Sequence, residues 1–296
     1  MAGTGTNGFG GGIFINAATS VSLNGVAVEF NIVPDSSDIV LGSGGGIYNL
    51  GGTLLLRNST IRGNVALWQG GGIFNDGPLT IFNSTISGNV NSGGGAGIYH
   101  AANDLVIVNS TISDNTVTGL TSSEGGEIFS SSRGDITIIA STIADNRSTR
   151  GGGIFLLVEG VGLLGTILAN NTGGDCDGEN GQIDSLGFNL IENANCTIFG
   201  DTTTNKTGQD PQLQPLGDNG GPTQTRKLLG VSPAIDMWPN CSEGTDQRRA
   251  TSARSSASPA RWNARCSAAA LRLTCRPSRS RCSLFSGWRS PEQRCS

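Results

Sequence analysis

Two aspartates, Asp114 and Asp145, are the residues of this 296-residue chain whose type and spacing best suit a chemical reaction. Each stands directly before an asparagine in a repeated phrase. Stacked copies of that phrase would bring the two carboxylates to about 5 Å, near the separation used by retaining glycosidases. Arg147 is close to Asp145 and adds a cation to the set. The competing interpretation is a plain turn role, because Gly63 and Gly88 fill the same slot in other copies.

A second acidic group comprises Asp175, Asp177 and Glu179. Its spacing superficially resembles the start of a calcium-binding loop. However, Asn180 and Leu186 stand where that loop needs a glycine and a closing glutamate. We therefore expect a solvated loop, with Ca²⁺ as the weaker alternative and no other cofactor.

The cysteines and the single histidine narrow the chemistry further. Cys176 and Cys196 bracket a loop and predict a disulfide, which is typical of an oxidising compartment; two unpaired thiols are the alternative. No CxxC pair exists to suggest zinc. His100 takes the place of Asn49 and Asn75 in neighbouring repeats, so a polar turn or face role is expected. One histidine excludes multi-histidine metal sites.

A five-residue phrase, GGGI(F/Y), recurs six times and must position these residues. The steps between its isoleucines are 34, 26, 25, 30 and 26 residues. A repeat of about 25 residues indicates a solenoid, in which one unit cannot bury its own apolar face and must stack on the next. The isoleucines predicted to stack in the core are Ile13, Ile47, Ile73, Ile98, Ile128 and Ile154.

A second phrase, NSTISGN and its variants, alternates with the first. Apolar runs of four or five residues, such as 79–82, suit short strands, and Gly, Asn and Ser between them suit turns. Such strands coil into a parallel β-helix with equivalent residues about 4.8 Å apart. Asparagine tolerates the left-handed backbone of a sharp corner, so its side chains are predicted to form a ladder there. The predicted ladder residues are Asn31, Asn64, Asn89, Asn115, Asn146 and Asn170.

The wording of both phrases across residues 8–172 resembles bacterial right-handed β-helix surface proteins, including those with polymorphic-outer-membrane-type repeats. The phrase DPQLQPLGDNGGPTQT at 210–225, followed by SPAID at 232–236, looks like the choice-of-anchor segment that ends many such proteins. The resemblance implies an all-β, single-stranded right-handed parallel β-helix of the pectin-lyase-like kind. It also implies export and attachment to the cell surface or outer membrane, and no defined enzymatic activity.

Composition divides the chain into three predicted regions: rungs over 1–172, an irregular, capping and anchor-like segment over 173–248, and a tail over 249–296. The tail holds ten arginines, no lysine and one acid, so it is strongly basic while the rest is acidic. We interpret it as an out-of-frame reading and expect disorder, with a genuine basic arm for nucleic acid as the alternative. No signal peptide and no apolar run of transmembrane length is present. The chain is expected to be a fragment of a longer exported protein.

The functional prediction is a non-enzymatic, extracellular or cell-surface protein, structural or adhesin-like, whose repeated Ser, Thr and Asn side chains bind glycans or host surfaces. No nucleic-acid partner is expected. The alternative is a polysaccharide lyase or glycoside hydrolase that uses Asp114 and Asp145. A single regular repeat without a convergent polar cluster favours the structural role.

Overall fold

The computed structural model describes residues 10–33, 42–119, 125–158, 160–179 and 182–237. Within these ranges the chain forms strands and turns and no helix. Three short strands make one rung, and successive rungs pair in parallel, which confirms the predicted parallel β-helix. The predicted disordered tail at 249–296 lies outside the described residues.

Three parallel sheets run along the solenoid. Sheet 1 contains β1 (Ile13–Ile15), β4 (Ile47–Asn49), β7 (Ile73–Asn75), β11 (Ile98–His100), β15 (Ile128–Ser130), β18 (Ile154–Leu156) and β21 (Cys176–Asp177). Sheet 2 contains β2 (Ser20–Asn24), β5 (Thr53–Arg57), β8 (Leu79–Phe82), β12 (Leu105–Val108), β16 (Ile136–Ile139), β19 (Val161–Leu164), β22 (Gln182–Ser185) and β24 (Thr197–Gly200). Sheet 3 contains β3 (Ala27–Glu29), β6 (Thr60–Arg62), β9 (Thr85–Ser87), β13 (Thr111–Ser113), β17 (Thr142–Ala144), β20 (Ile167–Ala169), β23 (Leu190–Ile191) and β25 (Lys206–Thr207).

Two smaller sheets complete the described architecture. The strands β10 (Val90–Asn91) and β14 (Thr116–Val117) pair in parallel beside the main rungs. An antiparallel hairpin follows the last rung and consists of β26 (Leu213–Gly217) and β27 (Thr225–Leu228). The hairpin does not continue the solenoid, since it pairs only with itself.

The core is a set of apolar columns, one residue per strand per rung. In sheet 1 the predicted isoleucines pair in register from Ile13 to Ile154, and the five from Ile47 onward are fully buried. Because side chains alternate along a strand, the residue on either side of each core position faces outward. Sheets 2 and 3 add their own columns, and all join one cluster. The predicted isoleucine stack is confirmed.

The rungs continue beyond residue 172, so the predicted boundary is too early. Strands β21 to β25 pair in parallel with the rungs before them. Cys176 takes the column position of the isoleucines, pairing with Ile154. The repeat wording fades there, but the alternation of Ile183 and Ser185 inward keeps the strand pattern. Burial pattern, not motif wording, defines where the solenoid ends.

The asparagine ladder forms, with one correction. Each member donates its backbone N–H and its Nδ2–H to the Oδ1 of the next, as Asn89 does to Asn115 at 2.9 and 2.8 Å. The last asparagine is Asn171, which accepts from Asn146 at 3.0 Å, and not Asn170. The prediction was one residue out of register because both positions are asparagine.

The left-handed residues at this corner are the ones before the ladder asparagines, which corrects the predicted reason for asparagine. Asn170, with φ of 58°, is exposed and occupies that slot in its rung. The ladder asparagines themselves do not have positive φ in the described chain. Their selection therefore rests on hydrogen bonding. The slot residues are Phe30, Gly63, Gly88, Asp114, Asp145 and Asn170, with φ between 56° and 63°.

Candidate functional site

Asp114 and Asp145 lie side by side at the corner after sheet 3. They follow β13 and β17, which pair in register, so the two residues occupy successive rungs. Both have left-handed backbone, with φ of 60° and 58°. Aspartate adopts this region more readily than most residues, which fits a turn role as well as a chemical one. Their side chains are 45% and 34% exposed.

The cation that meets both aspartates is Arg226 of the hairpin, and not the predicted Arg147. Nη2 of Arg226 donates to Asp114 Oδ1 at 2.6 Å, and Nε donates to Ser113 Oγ at 2.6 Å. Nη1 lies 2.6 Å from Asp145 Oδ2, as an ion pair without hydrogen-bond alignment. The Arg226 side chain is only 7% exposed. One buried guanidinium thus bridges both carboxylates.

The surroundings of Asp145 push its protonation in opposite directions. Burial raises the pKa of Asp145 above its ordinary value, and the charges of Asp114 and Glu192 add to that rise. The Arg226 guanidinium and a hydrogen bond from Asn170 lower it. Burial dominates, so the net pKa is raised. A carboxyl with a raised pKa beside a second carboxyl can serve as a general acid, but here both contact the arginine.

The acidic group at 175–179 does not converge on one point. Asp175 is fully buried and ends the asparagine ladder, where its Oδ1 accepts from Asn171 Nδ2 at 2.8 Å and its Oδ2 from the Asn193 N–H at 2.7 Å. Asp177 accepts from Arg150 Nε and Nη2, both at 3.0 Å, and Glu179 is exposed. In the part of the chain that the structure describes, no group of three or more potential metal-ligating side chains is found.

The predicted disulfide is present. Cys176 and Cys196 are bonded with a Cα–Cα distance of 5.7 Å, and this disulfide joins the sheet 1 column to the loop before β24.

His100 is fully buried in a short polar column of sheet 1. Its Nδ1 accepts from Asn75 Nδ2 at 3.1 Å, and its Nε2–H donates to the Asn103 carbonyl at 2.9 Å. Burial lowers the pKa of His100, which matches this neutral tautomer.

Glu127 is a buried acid that motif reading missed. It replaces the third glycine of the GGGI phrase in one rung, so the phrase GGEIF was the available signal. The residue is fully buried, and neither carboxylate oxygen has a hydrogen-bond partner. Burial raises the pKa of Glu127 well above its ordinary value. The side chain occupies interior space near Gly97 and the Asn115 amide.

Six aromatic rings stack along the outer side of sheet 1. Neighbouring centroids are 4.5 to 5.7 Å apart with interplanar angles of 6° to 14°. The ring faces are directed at one another, so the column stabilises the rung stack and offers no flat ring face along its length. Phe129 and Phe155 are fully buried. The six rings are Phe14, Tyr48, Phe74, Tyr99, Phe129 and Phe155.

The outer face of sheet 2 combines hydroxyl and apolar side chains. Ser22, Thr80 and Thr137 lie in one register column, and Phe82 lies in the column beside it. Phe82 is half-buried, and the Arg57 guanidinium carbon lies 5.8 Å from its ring centroid. Leu55 and Val106 alternate with the hydroxyl residues in the first column, so hydroxyl groups recur at every second rung.

No protein-family model matches this chain, and no curated protein or solved structure matches it either. Among the described residues, no helix is long and apolar enough to cross a membrane.

Proposed function

We propose that this protein is an exported, non-enzymatic β-helix rod that acts at the cell surface as a structural or adhesin-like element. The observation that carries the proposal is the engagement of the predicted catalytic carboxylates. Asp114 and Asp145 are partly exposed, but the buried Arg226 bridges both carboxylates, which ties them to a structural contact. The buried ladder asparagines satisfy one another along the rungs.

The disulfide supports export. Cys176 is buried in the core column, and its bond to Cys196 forms and persists most readily in an oxidising compartment. Attachment to an outer membrane or another surface rests on the resemblance described above. Fractionation of cells that express the native gene, with surface proteolysis on intact cells, tests this. Protein found only in the cytosol would contradict export.

The proposed ligands are glycans, and the outer face of sheet 2 is the proposed contact surface. Sugars are bound by hydroxyl hydrogen bonds together with apolar contacts to aromatic rings, and the Thr80, Phe82 and Arg57 set supplies both kinds. Because the hydroxyl residues of this column recur at every second rung, about 10 Å apart, such a face suits an extended chain better than a single sugar.

Binding and turnover on one panel of neutral and uronic-acid oligosaccharides separate the structural role from an enzymatic one. We expect saturable binding without new reducing ends or unsaturated products. Phe82→Ala should weaken binding at least several-fold, whereas Trp68→Ala, at a side chain 38% exposed outside sheet 2, should not. Turnover that Asp145→Asn abolishes would instead establish the polysaccharide lyase or glycoside hydrolase alternative.

A further inference from the structure

Residues 211–237, which we name the strap, lie along sheet 3 rather than at the end of the solenoid. The strap reaches back to early rungs, since Thr85 Oγ1 donates to the Gln224 carbonyl at 2.5 Å and Thr223 Oγ1 donates to the Asn83 carbonyl at 3.4 Å. Nearer the last rung, Lys206 Nζ donates to the Pro233 carbonyl at 2.6 Å. The strap therefore spans the rungs from β9 to β25.

The strap buries a face that is partly exposed elsewhere. The outward-facing Ser87 and Ser113 of sheet 3 are 2% and 0% exposed. Arg62, which pairs in register with Ser87 in the preceding rung, is not covered by the strap and is partly exposed. From β9 to β17 the face beneath the strap is made of small hydroxyl and methyl side chains. The rows it contains are Thr85, Thr111 and Thr142 and, beside them, Ser87, Ser113 and Ala144.

Two unlike contacts hold the strap. At the end nearest β25, Leu228 and Ala234 are each 1% exposed and pack on the sheet 3 residues Ile167, Ala169 and Leu190. In the middle, apolar packing gives way to Arg226 and its bonds to Ser113, Asp114 and Asp145. This second contact is electrostatic: the Arg226 side chain is 7% exposed, and the two carboxylates that it meets are partly exposed.

We propose that the strap is a latched cover. Arg226 on Asp114 and Asp145 is the latch. Release of the latch lifts the turn end of the β26–β27 hairpin, residues 216–226, and uncovers the hydroxyl rows of sheet 3, while Leu213 and Leu228 stay in their apolar cluster. The solenoid does not depend on the strap for its backbone pairing, because every sheet 3 strand from β6 to β23 is paired on both edges by its neighbouring rungs. The hairpin, in contrast, pairs only with itself and is held down by side chains. Because the rungs and the hairpin have separate backbone pairing, the hairpin can open while the rungs stay intact.

The test is amide hydrogen exchange on the full chain, comparing the natural protein with the double variant Asp114→Asn and Asp145→Asn. Asparagine suits both positions, since Asn170 naturally holds the same left-handed slot in the next rung. Strap peptides that cover residues 216–226 should exchange at least ten times faster in the double variant, while peptides of β9, β13 and β17 keep their protection. Arg226→Gln should reproduce this result from the other side of the contact.

Arg150→Gln is the matched control, because it removes an arginine–aspartate pair with Asp177 that does not involve the strap. It should leave strap exchange unchanged. Unchanged strap exchange in the double variant would overturn the latch. Loss of protection in rungs and strap together would show that the strap is an integral part of the rungs, and would also overturn the proposal. The readout involves no glycan, so failure of the proposed surface role leaves it standing.

Discussion

At the scale of single residues, the hydrogen-bond inventory explains why the ladder requires asparagine. Asn171 accepts two bonds from Asn146 and donates Nδ2–H to the Ile143 carbonyl at 3.0 Å as well as to Asp175 at 2.8 Å. An amide is the side chain that offers one acceptor and two donors in this arrangement. Aspartate fits only at the end of the ladder, where no further donor to the next rung is needed.

Replacement of Asn171 by alanine should therefore destabilise the fold by about 2–3 kcal/mol, because it leaves buried N–H groups of Asn146 without an acceptor. The matched variant Asn170→Gly should change the free energy of unfolding by less than about 0.5 kcal/mol, since that residue is exposed and glycine holds its slot in two other rungs. Urea unfolding of both variants checks this. Equal destabilisation would show that the ladder register is wrong.

The buried Glu127 predicts a pH dependence of stability. A carboxyl whose pKa is raised in the folded state is more protonated there than in the unfolded chain, so stability declines as pH rises above its ordinary value of 4.5. Glu127→Gln and Glu127→Gly, the latter restoring the GGGI phrase, should flatten that part of the decline. Urea unfolding from pH 5 to pH 9 measures it. A natural protein and Glu127→Gln with the same pH slope would contradict the prediction.

At the scale of elements, periodicity predicted the strands well because each core column repeats one local pattern. The isoleucines from Ile13 to Ile154 occupy their predicted columns for that reason. The pattern does not say which residue of the Asn170–Asn171 pair joins the ladder, and the predicted ladder residue was therefore one position too early. Arg226 was missed because its partner Asp114 is 112 residues away and the strap carries no repeat. Contacts between a periodic and a non-periodic segment depend on tertiary packing.

The disulfide is an element-scale constraint on the last rungs. Its cysteines are 20 residues apart, and closing such a loop reduces the entropy of the unfolded chain, which stabilises the fold by about 3 kcal/mol. Reduction should therefore lower stability and speed amide exchange in β22 to β24 before the earlier rungs. The double variant Cys176→Val and Cys196→Ala should lose its sensitivity to reductant. A reductant effect that persists in this variant would assign the stabilisation elsewhere.

At the scale of the whole molecule, every repeated interaction joins a rung only to its neighbours. The core columns, the asparagine ladder and the aromatic stack all obey this rule. Stability in such an array is a sum of rung and interface contributions, so position along the stack decides the consequence of a change. An interior rung is held at two interfaces, whereas the rung carrying β24 has a sheet 2 partner on one side only.

Two matched core truncations test that dependence on position. Ile98→Ala, in a fully buried column between Ile73 and Ile128, should lower the free energy of unfolding by about 3 kcal/mol. Ile198→Ala, in the partly buried end strand β24, should mainly fray its own rung, with faster amide exchange in β22 and β24 and little shift of the main urea transition. Peptide-resolved exchange and urea unfolding on the same samples distinguish the two responses. If both variants shift the main transition equally, the described rungs unfold as one cooperative unit and the nearest-neighbour account fails.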